Sequence, residues 1–224
     1  MEITWLGQAG LLFDTGDTKI MVDPYLSDSV AKQDPKKRRR VAVDERFLEI
    51  TPDILICTHN HLDHTDPETL AQILNTEKAI TVLAPFDSWH TVNAFGRNHN
   101  YVMFNRLSRW TEGNIHFKAV RADHSDKTAI GVIIEHEQAI YYLAGDTLYN
   151  DEIFLDLPAM IDVIFLPING SGNNMNMADA QAFAEKAGAG KAVPLHFGMF
   201  DSLDPLEFAF EKKIIPQIFE VIKI

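Results

Sequence analysis

The sequence predicts an α/β fold built from two similar halves. Three observations carry this. Short apolar runs rich in Ile, Val and Leu recur along the chain, each bounded by turn residues, which is the pattern of buried strands. Between some of them stand capped segments with apolar residues three and four apart, the pattern of helices packed on a sheet. In each half, strands come first and strand–helix alternation follows.

The elements follow in order. Residues 2–6, 10–13 and 18–23 read as short strands, the last two joined by the turn Asp14-Thr15-Gly16-Asp17. Residues 24–46 are polar and irregular and contain the basic run Lys36-Lys37-Arg38-Arg39-Arg40. The apolar run 53–58 fits a strand buried on both faces. Asp66-Pro67-Glu68 supplies an N-cap and a proline at the first helical position, and Leu70, Ile73 and Leu74 share one face of the helix it opens. Residues 79–84 form another buried strand. In the second half, strands are expected at 115–120, 129–135, 139–144, 161–167 and 191–197. A helix over 177–187 ends at Gly188, a C-cap glycine. Asp204-Pro205 predicts a helix through 212, and residues 217–223 alternate as a last strand. No linker, repeat or low-complexity stretch divides the chain, so a single domain over 1–224 is expected.

Composition narrows the function classes. The 224 residues include one cysteine, Cys57, so neither a disulfide scaffold nor a four-cysteine zinc ribbon is available. Cys57 itself reads as a small packed hydrophobe. A net charge of −12 argues against a general nucleic-acid binder. No apolar stretch approaches the ~18 residues of a membrane span, and the N-terminus shows no basic leader, so a cytoplasmic protein without membrane contact is expected.

The strongest chemical signal is Thr58-His59-Asn60-His61-Leu62-Asp63-His64-Thr65-Asp66. His59 and His61 are two apart and would diverge on a helix, but they converge in a loop at the end of a strand. The run 53–58 supplies that strand and Asp66 opens the next helix, so the cluster sits on a strand-to-helix loop, where α/β sheets bind ligands. Imidazole and carboxylate donors suit Zn, Mn, Fe or Ni.

His59-x-His61-x-Asp63-His64 resembles the signature of the metallo-β-lactamase fold superfamily. The resemblance implies a four-layer αββα sandwich with a metal site at one edge of its two sheets. It also implies three further ligands, and matching positions exist: His124 in Ala122-Asp123-His124-Ser125, Asp146 in Ala144-Gly145-Asp146-Thr147, and His196 in Pro194-Leu195-His196-Phe197. His90, His99, His116 and His136 fall in no motif and read as surface or strand histidines. The opening Gly7-Gln8-Ala9-Gly10 and the strand ending in Asp23-Pro24 extend the similarity over nearly the whole chain. Asp23-Pro24-Tyr25-Leu26-Ser27, the basic run and Leu166-Pro167-Ile168-Asn169-Gly170 are similar to the branch containing L-ascorbate-6-phosphate lactonase. That lactonase carries extra sequence between its third and fourth ligand motifs, whereas 22 positions separate His124 from Asp146 here.

The resemblance implies two divalent transition-metal ions, Zn or Mn, one held by His59, His61 and His124 and the other by Asp63, His64 and His196, with Asp146 bridging. A metal-bridging hydroxide would act on a small ester, lactone or phosphorylated metabolite, with Asp63 as the catalytic carboxylate. Asp23 and Thr147 are positioned either to orient ligands or to cap turns. Arg38, Arg39 and Arg40 read either as contacts to an anionic substrate or as a solvated loop or subunit contact, and Asn169 is a further substrate-contact residue. Relatives commonly assemble, which implies a homo-oligomer. Two rival functions remain in view: a phosphodiesterase or nuclease of the same superfamily, and a non-catalytic metal-binding regulatory protein.

Overall fold

The computed structural model describes residues 1–224 and places twelve strands in two six-stranded mixed sheets. The first sheet runs in chain order: β1 (Glu2–Gly7), β2 (Gly10–Asp14), β3 (Lys19–Val22), β4 (Ile54–Ile56), β5 (Thr81–Ala84) and β6 (Asn100–Met103). Its first three strands form an antiparallel meander, and β3 to β6 are parallel. The second sheet comprises β7 (Arg109–Glu112), β8 (Ile115–Arg121), β9 (Ile130–His136), β10 (Ala139–Leu143), β11 (Ile161–Pro167) and β12 (Ala189–Leu195). It too opens as an antiparallel meander, β7 to β10, and closes with parallel strands, β10 to β12. The two halves thus repeat one plan.

The helices are few and short: α1 (Ser29–Gln33), α2 (Pro67–Ile73), α3 (Phe86–Val92) and α4 (Met177–Lys186). Asp66 caps α2 by accepting from the backbone N–H of Glu68 and Thr69, with Pro67 at the first helical position. Gly188 follows α4 at φ +64°, a left-handed conformation that glycine adopts without penalty. No helix is long and apolar enough to cross a membrane.

Alternation places the layers. On β4, Ile54 and Ile56 enter the main core, while Leu55 joins a second cluster with Leu70, Ile73, Leu74 and Val92 from α2, α3 and the segment after α2. On β10, Tyr141 packs edge-on against Phe13 of the first sheet at 6.1 Å, whereas Tyr142 stacks with Phe183 of α4 at 6.2 Å. The order is therefore α2 and α3, sheet, sheet, α4, an α/β four-layer sandwich with its main core between the sheets. Phe13 sits at the centre of that core, with no solvent exposure and with Phe165 also edge-on at 6.0 Å.

Several expectations are corrected. The segment expected to be helical through 212 contains only a 3-10 turn, Pro205–Glu207, capped by Asp204. Phe208 and Phe210 beyond it are both buried, and a spacing of two suits extended backbone rather than helix. Residues 217–223 are not a strand. They follow the free edge of β1 through Phe219 N–H to Trp5 O and Ile222 N–H to Ile3 O, but Phe219 at φ +65° breaks the extended run. Helix α3 and strands β6 and β7 lie where no element is expected, and α1 lies within 24–46, a segment expected to be irregular.

Truncating Phe13 to Ala should remove its two edge-on contacts with the second sheet and cost about 3–5 kcal/mol of folding stability. Chemical denaturation would check this through a large fall in the midpoint, and an unchanged midpoint would contradict the assigned core.

Candidate metal centre

The strands that lead to the centre run the same way within their own sheets. Gln8, Asp23 and Cys57 follow β1, β3 and β4, and His124, Asp146, Asn169 and His196 lie just past β8, β10, β11 and β12. The sheets therefore deliver side chains from distant parts of the sequence to one edge of the sandwich.

His59, His61, His124 and Asp146 form one group of donor atoms, and Asp63, His64 and His196 form a second, with the atoms of each group within 4.8 Å of one another. His61 Nδ1 lies 3.1 Å from His124 Nε2, and Asp63 Oδ2 lies 3.4 Å from His196 Nε2. Asp146 stands between the groups: Oδ1 is 3.3 Å from His64 Nε2, and Oδ2 is 3.2 Å from His196 Nε2 and 4.0 Å from His59 Nε2. Donors bound at about 2.1 Å to a shared ion stand roughly 3.0–3.4 Å apart, so most of these spacings are those of neighbouring ligands.

The opposite side of each imidazole tests the fit. His64 Nδ1 donates to Asp23 Oδ2 at 2.8 Å. His59 Nδ1 lies 3.1 Å from Thr58 Oγ1, which in turn donates to Asp23 Oδ2. His124 Nδ1 meets the carbonyl of Asn173 at 3.2 Å, His61 Nε2 meets Ser125 Oγ at 3.2 Å, and His196 Nδ1 meets the Asn169 amide at 3.0 Å. All five rings are held from outside and turn their other nitrogen inward, the arrangement found around metal-binding histidines. Inside, His59 Nε2, His64 Nε2 and Asp146 Oδ1 are buried without a hydrogen-bond partner. Buried polar atoms rarely go unpaired, and divalent cations held by the two donor groups would satisfy all three. The residues fit a metal centre.

Backbone strain concentrates here. Gln8, Asp23, Asn173 and His196 all adopt positive φ, an uncommon conformation for residues with side chains. Gly145, just before Asp146, has φ +63°, and a Cβ there would meet the Ile130 carbonyl at 2.9 Å. Only glycine fits that approach of strand end to strand.

The electrostatics follow from burial and charge. Burial holds His59 well below the usual histidine value, and neighbouring His64 adds to this. Burial also opposes charge on His64 and His196, but Asp146, with Asp23 and Asp63, outweighs it: His64 is raised well above its ordinary value and His196 to about 9. Burial works against the Asp146 carboxylate, yet His196 and His64 beside it hold it well below the carboxylate range. Without a cation, protons on His64 and His196 supply the positive charge that the carboxylates require.

The remaining expected residues fall differently. Thr147 Oγ1 accepts from the backbone N–H of Asp123 and donates to the carbonyl of Leu148, so it fixes the His124 loop and touches no imidazole. A cavity of about 270 Å³ adjoins the centre and is lined by Gln8, Lys37, Asp63, Asn169, Asn174 and Phe200 among others. Arg38, Arg39 and Arg40 do not line it. Arg38 pairs with Asp28, and Arg39 lies over the Tyr25 ring and donates to the carbonyls of Tyr25 and Val41. Arg40 is exposed, and its backbone N–H bonds Met199 O. The member of the basic run that reaches the cavity is Lys37, which makes no ion pair. Sequence reasoning also missed Gln8 and Asn174, whose amides donate to Asp63 Oδ2 and Asp146 Oδ2 at 2.9 Å. The position of Gln8 directly after a strand was the available signal. Cys57 is fully buried, which pushes its thiol pKa up, in keeping with a packing role. His99 bonds Ile80 N–H and Leu74 O, away from the centre.

Because a cation must displace the protons of His64 and His196, both raised above the ordinary histidine value, metal affinity should rise with pH from 6.5 through about 9, where His196 loses its proton. Chelator-buffered metal titration across that range is the check, and affinity independent of pH would contradict this protonation pattern.

The chain matches the family model described as the β-lactamase superfamily domain over residues 2–196. It is 29% identical over 225 residues to a UPF0173 metal-dependent hydrolase of Geobacillus thermodenitrificans, covering 93% of this chain and 91% of that protein. It is 27% identical over 217 residues to a UPF0173 protein of Pyrococcus furiosus, covering 94% and 90%. Among solved structures, Igni18, a metallo hydrolase from Ignicoccus hospitalis, superposes with a TM-score of 0.79 at 19% identity, covering 98% of this chain and 96% of that one. The family match, the two mixed sheets and the donor groups at their shared edge agree, and the chain belongs to the β-lactamase superfamily, with the metallo-β-lactamase fold.

Proposed function

We propose that the protein is a binuclear metal-dependent hydrolase of a small anionic ester, lactone or phosphorylated metabolite, working in the cytoplasm. The observation that carries this is Asp146 standing between two donor groups, each with buried inward-facing atoms that lack partners. Two divalent ions there, Zn or Mn, would polarise a carbonyl or phosphoryl oxygen and make water nucleophilic at neutral pH.

The chain's own residues supply the rest. Asp63 belongs to the donor set and also lines the cavity. Burial opposes its charge, yet His64 and His196 beside it hold the carboxyl well below the usual carboxylate range, so it is ionised. It is placed to orient the attacking water, accept its proton and pass that proton to the leaving alkoxide. Asn174 holds Asp146 in position. Lys37 is the one lysine or arginine on the cavity wall and would meet an anionic group of the substrate away from the reacting bond. The modest cavity and the net charge of −12 favour a small molecule over a nucleic acid.

Elemental analysis should find about two transition-metal ions per chain, and the loaded protein should hydrolyse members of a panel of lactones, esters and phosphodiesters. Two ions with no turnover on any class would favour the non-catalytic metal-binding reading. Asp63→Asn should lower kcat by about 10²–10⁴-fold while at least one ion stays bound, and near-normal turnover would remove Asp63 from the chemistry. Lys37→Met should raise KM about tenfold for an anionic ester and leave a neutral ester of similar size unaffected, following the loss of one charge-assisted contact. Equal effects on both esters would exclude anion recognition by Lys37.

A further inference from the structure

We propose that Gln8 is an additional ligand of the second ion, binding through its side-chain amide oxygen. This rests on the two-ion reading and adds to it a residue outside the seven His and Asp donors.

The geometry makes the case. Gln8 Nε2, which also lies 3.3 Å from His196 Nδ1, stands 2.9 Å from Asp63 Oδ2 and 3.3 Å from His196 Nε2. Those are the spacings of neighbouring ligands on one ion, and they match the 3.4 Å between Asp63 Oδ2 and His196 Nε2 themselves. The amide is nearly symmetric in shape, so a half-turn about its last side-chain bond places the oxygen where the nitrogen stands. Charge decides between the two orientations. Facing a carboxylate that holds no metal ion, the amide presents N–H. Facing a cation held by that carboxylate, it presents oxygen.

The backbone supplies a second, independent observation. Gln8 is buried and sits at φ +52°, immediately after β1. Its carbonyl accepts from the Trp5 indole N–H at 3.0 Å and from the backbone N–H of His196 at 2.9 Å. The structure thus holds a glutamine in a strained conformation and ties it directly to a metal-binding residue. Asp23 and His196, which share the left-handed conformation, both serve the centre. Strain of this kind persists where the side chain it aims has a task.

An amide oxygen also makes the two positions chemically unequal. The first is dominated by the imidazoles of His59, His61 and His124. The second would combine oxygens of Asp63, Asp146 and Gln8 with the nitrogens of His64 and His196. Oxygen donors and a higher ligand count suit a hard ion of octahedral preference such as Mn²⁺.

The test is Mn²⁺ titration of metal-depleted protein, read by the electron paramagnetic resonance signal of free ion and by elemental analysis, with no activity required. Gln8→Asn keeps an amide and a residue that tolerates positive φ but shortens the reach by one methylene. We expect wild type to take up two ions and Gln8→Asn to bind the first normally and the second at least tenfold more weakly. Gln8→Glu, which keeps the reach and an oxygen donor, should restore the second ion. A Gln8→Asn protein that binds both ions as wild type does, or loses both equally, overturns the ligand role, as does a Gln8→Glu protein no better than Gln8→Asn. Wild type that takes up fewer than two ions overturns the two-ion reading itself and the Gln8 assignment with it.

Discussion

Five imidazoles and two carboxylates, crowded edge to edge at the rim of two sheets, are the constraint on which the rest of the structure depends. Their inward atoms satisfy one another poorly: His59 Nε2, His64 Nε2 and Asp146 Oδ1 are buried without a hydrogen bond, and Asp146 meets His64 and His196 only as charged neighbours at 3.3 and 3.2 Å. Such a cluster disperses unless each member is held from behind. Asp23 does most of this work. Its buried carboxylate accepts from the Thr58 backbone N–H, the Thr58 hydroxyl and His64 Nδ1, and through that hydroxyl it also reaches His59. One anion therefore fixes a ring in each donor group. The left-handed backbone at Gln8, Asp23, Asn173 and His196 costs about 1–3 kcal/mol per residue, and the aromatic core around Phe13 supplies the rigidity that keeps these residues in place.

Topology explains why the cluster forms where it does. Each sheet joins an antiparallel meander to parallel strands, so alternate strands end at one edge and the intervening turns lie at the other. β4 stops at Ile56, although the apolar run continues, because Asp23 draws the Thr58 backbone N–H out of the ladder. β12 stops at Leu195 because His196 turns to φ +61° and bonds the Gln8 carbonyl of the opposite sheet. The centre thus trims the strands, and the strands aim the centre.

The same coupling sets how much was legible in the sequence. The donor groups could be read because their residue types are unusual for strand ends and recur at each apolar run. The strand and helix order could be read because burial on one or both faces leaves a period in the sequence. What escaped depends on contacts between remote segments. Lys37 could not be told from Arg38 and Arg39 by charge; only the partners Asp28 and Tyr25 show which cations turn away from the cavity. Thr147 reads from the sequence, like Asp23, as a residue that either orients ligands or caps a turn, yet its hydroxyl meets only backbone, while the hydroxyl that reaches Asp23 belongs to Thr58. The segment after Asp204 carries helix-start residues, but burial of both Phe208 and Phe210 overrides them.

Charge ties these parts together. Asp23 and Asp146, both buried, and the partly buried Asp63 place three carboxylates in one cluster, an arrangement tolerated only with compensating positive charge. Protons on His64 and His196 provide two units of it and leave the ion-free centre close to neutral. On the two-ion reading, two divalent cations replace those protons with four units, and the balance becomes positive by one. The loaded centre then attracts the electron-rich oxygen of a carbonyl or phosphoryl group, while the ion-free centre does not. Lys37 extends that positive potential along the cavity wall, against a chain whose overall charge is −12. Metal loading would therefore do more than supply the reacting group: it would convert a balanced acidic cluster into a cationic recess on an acidic protein.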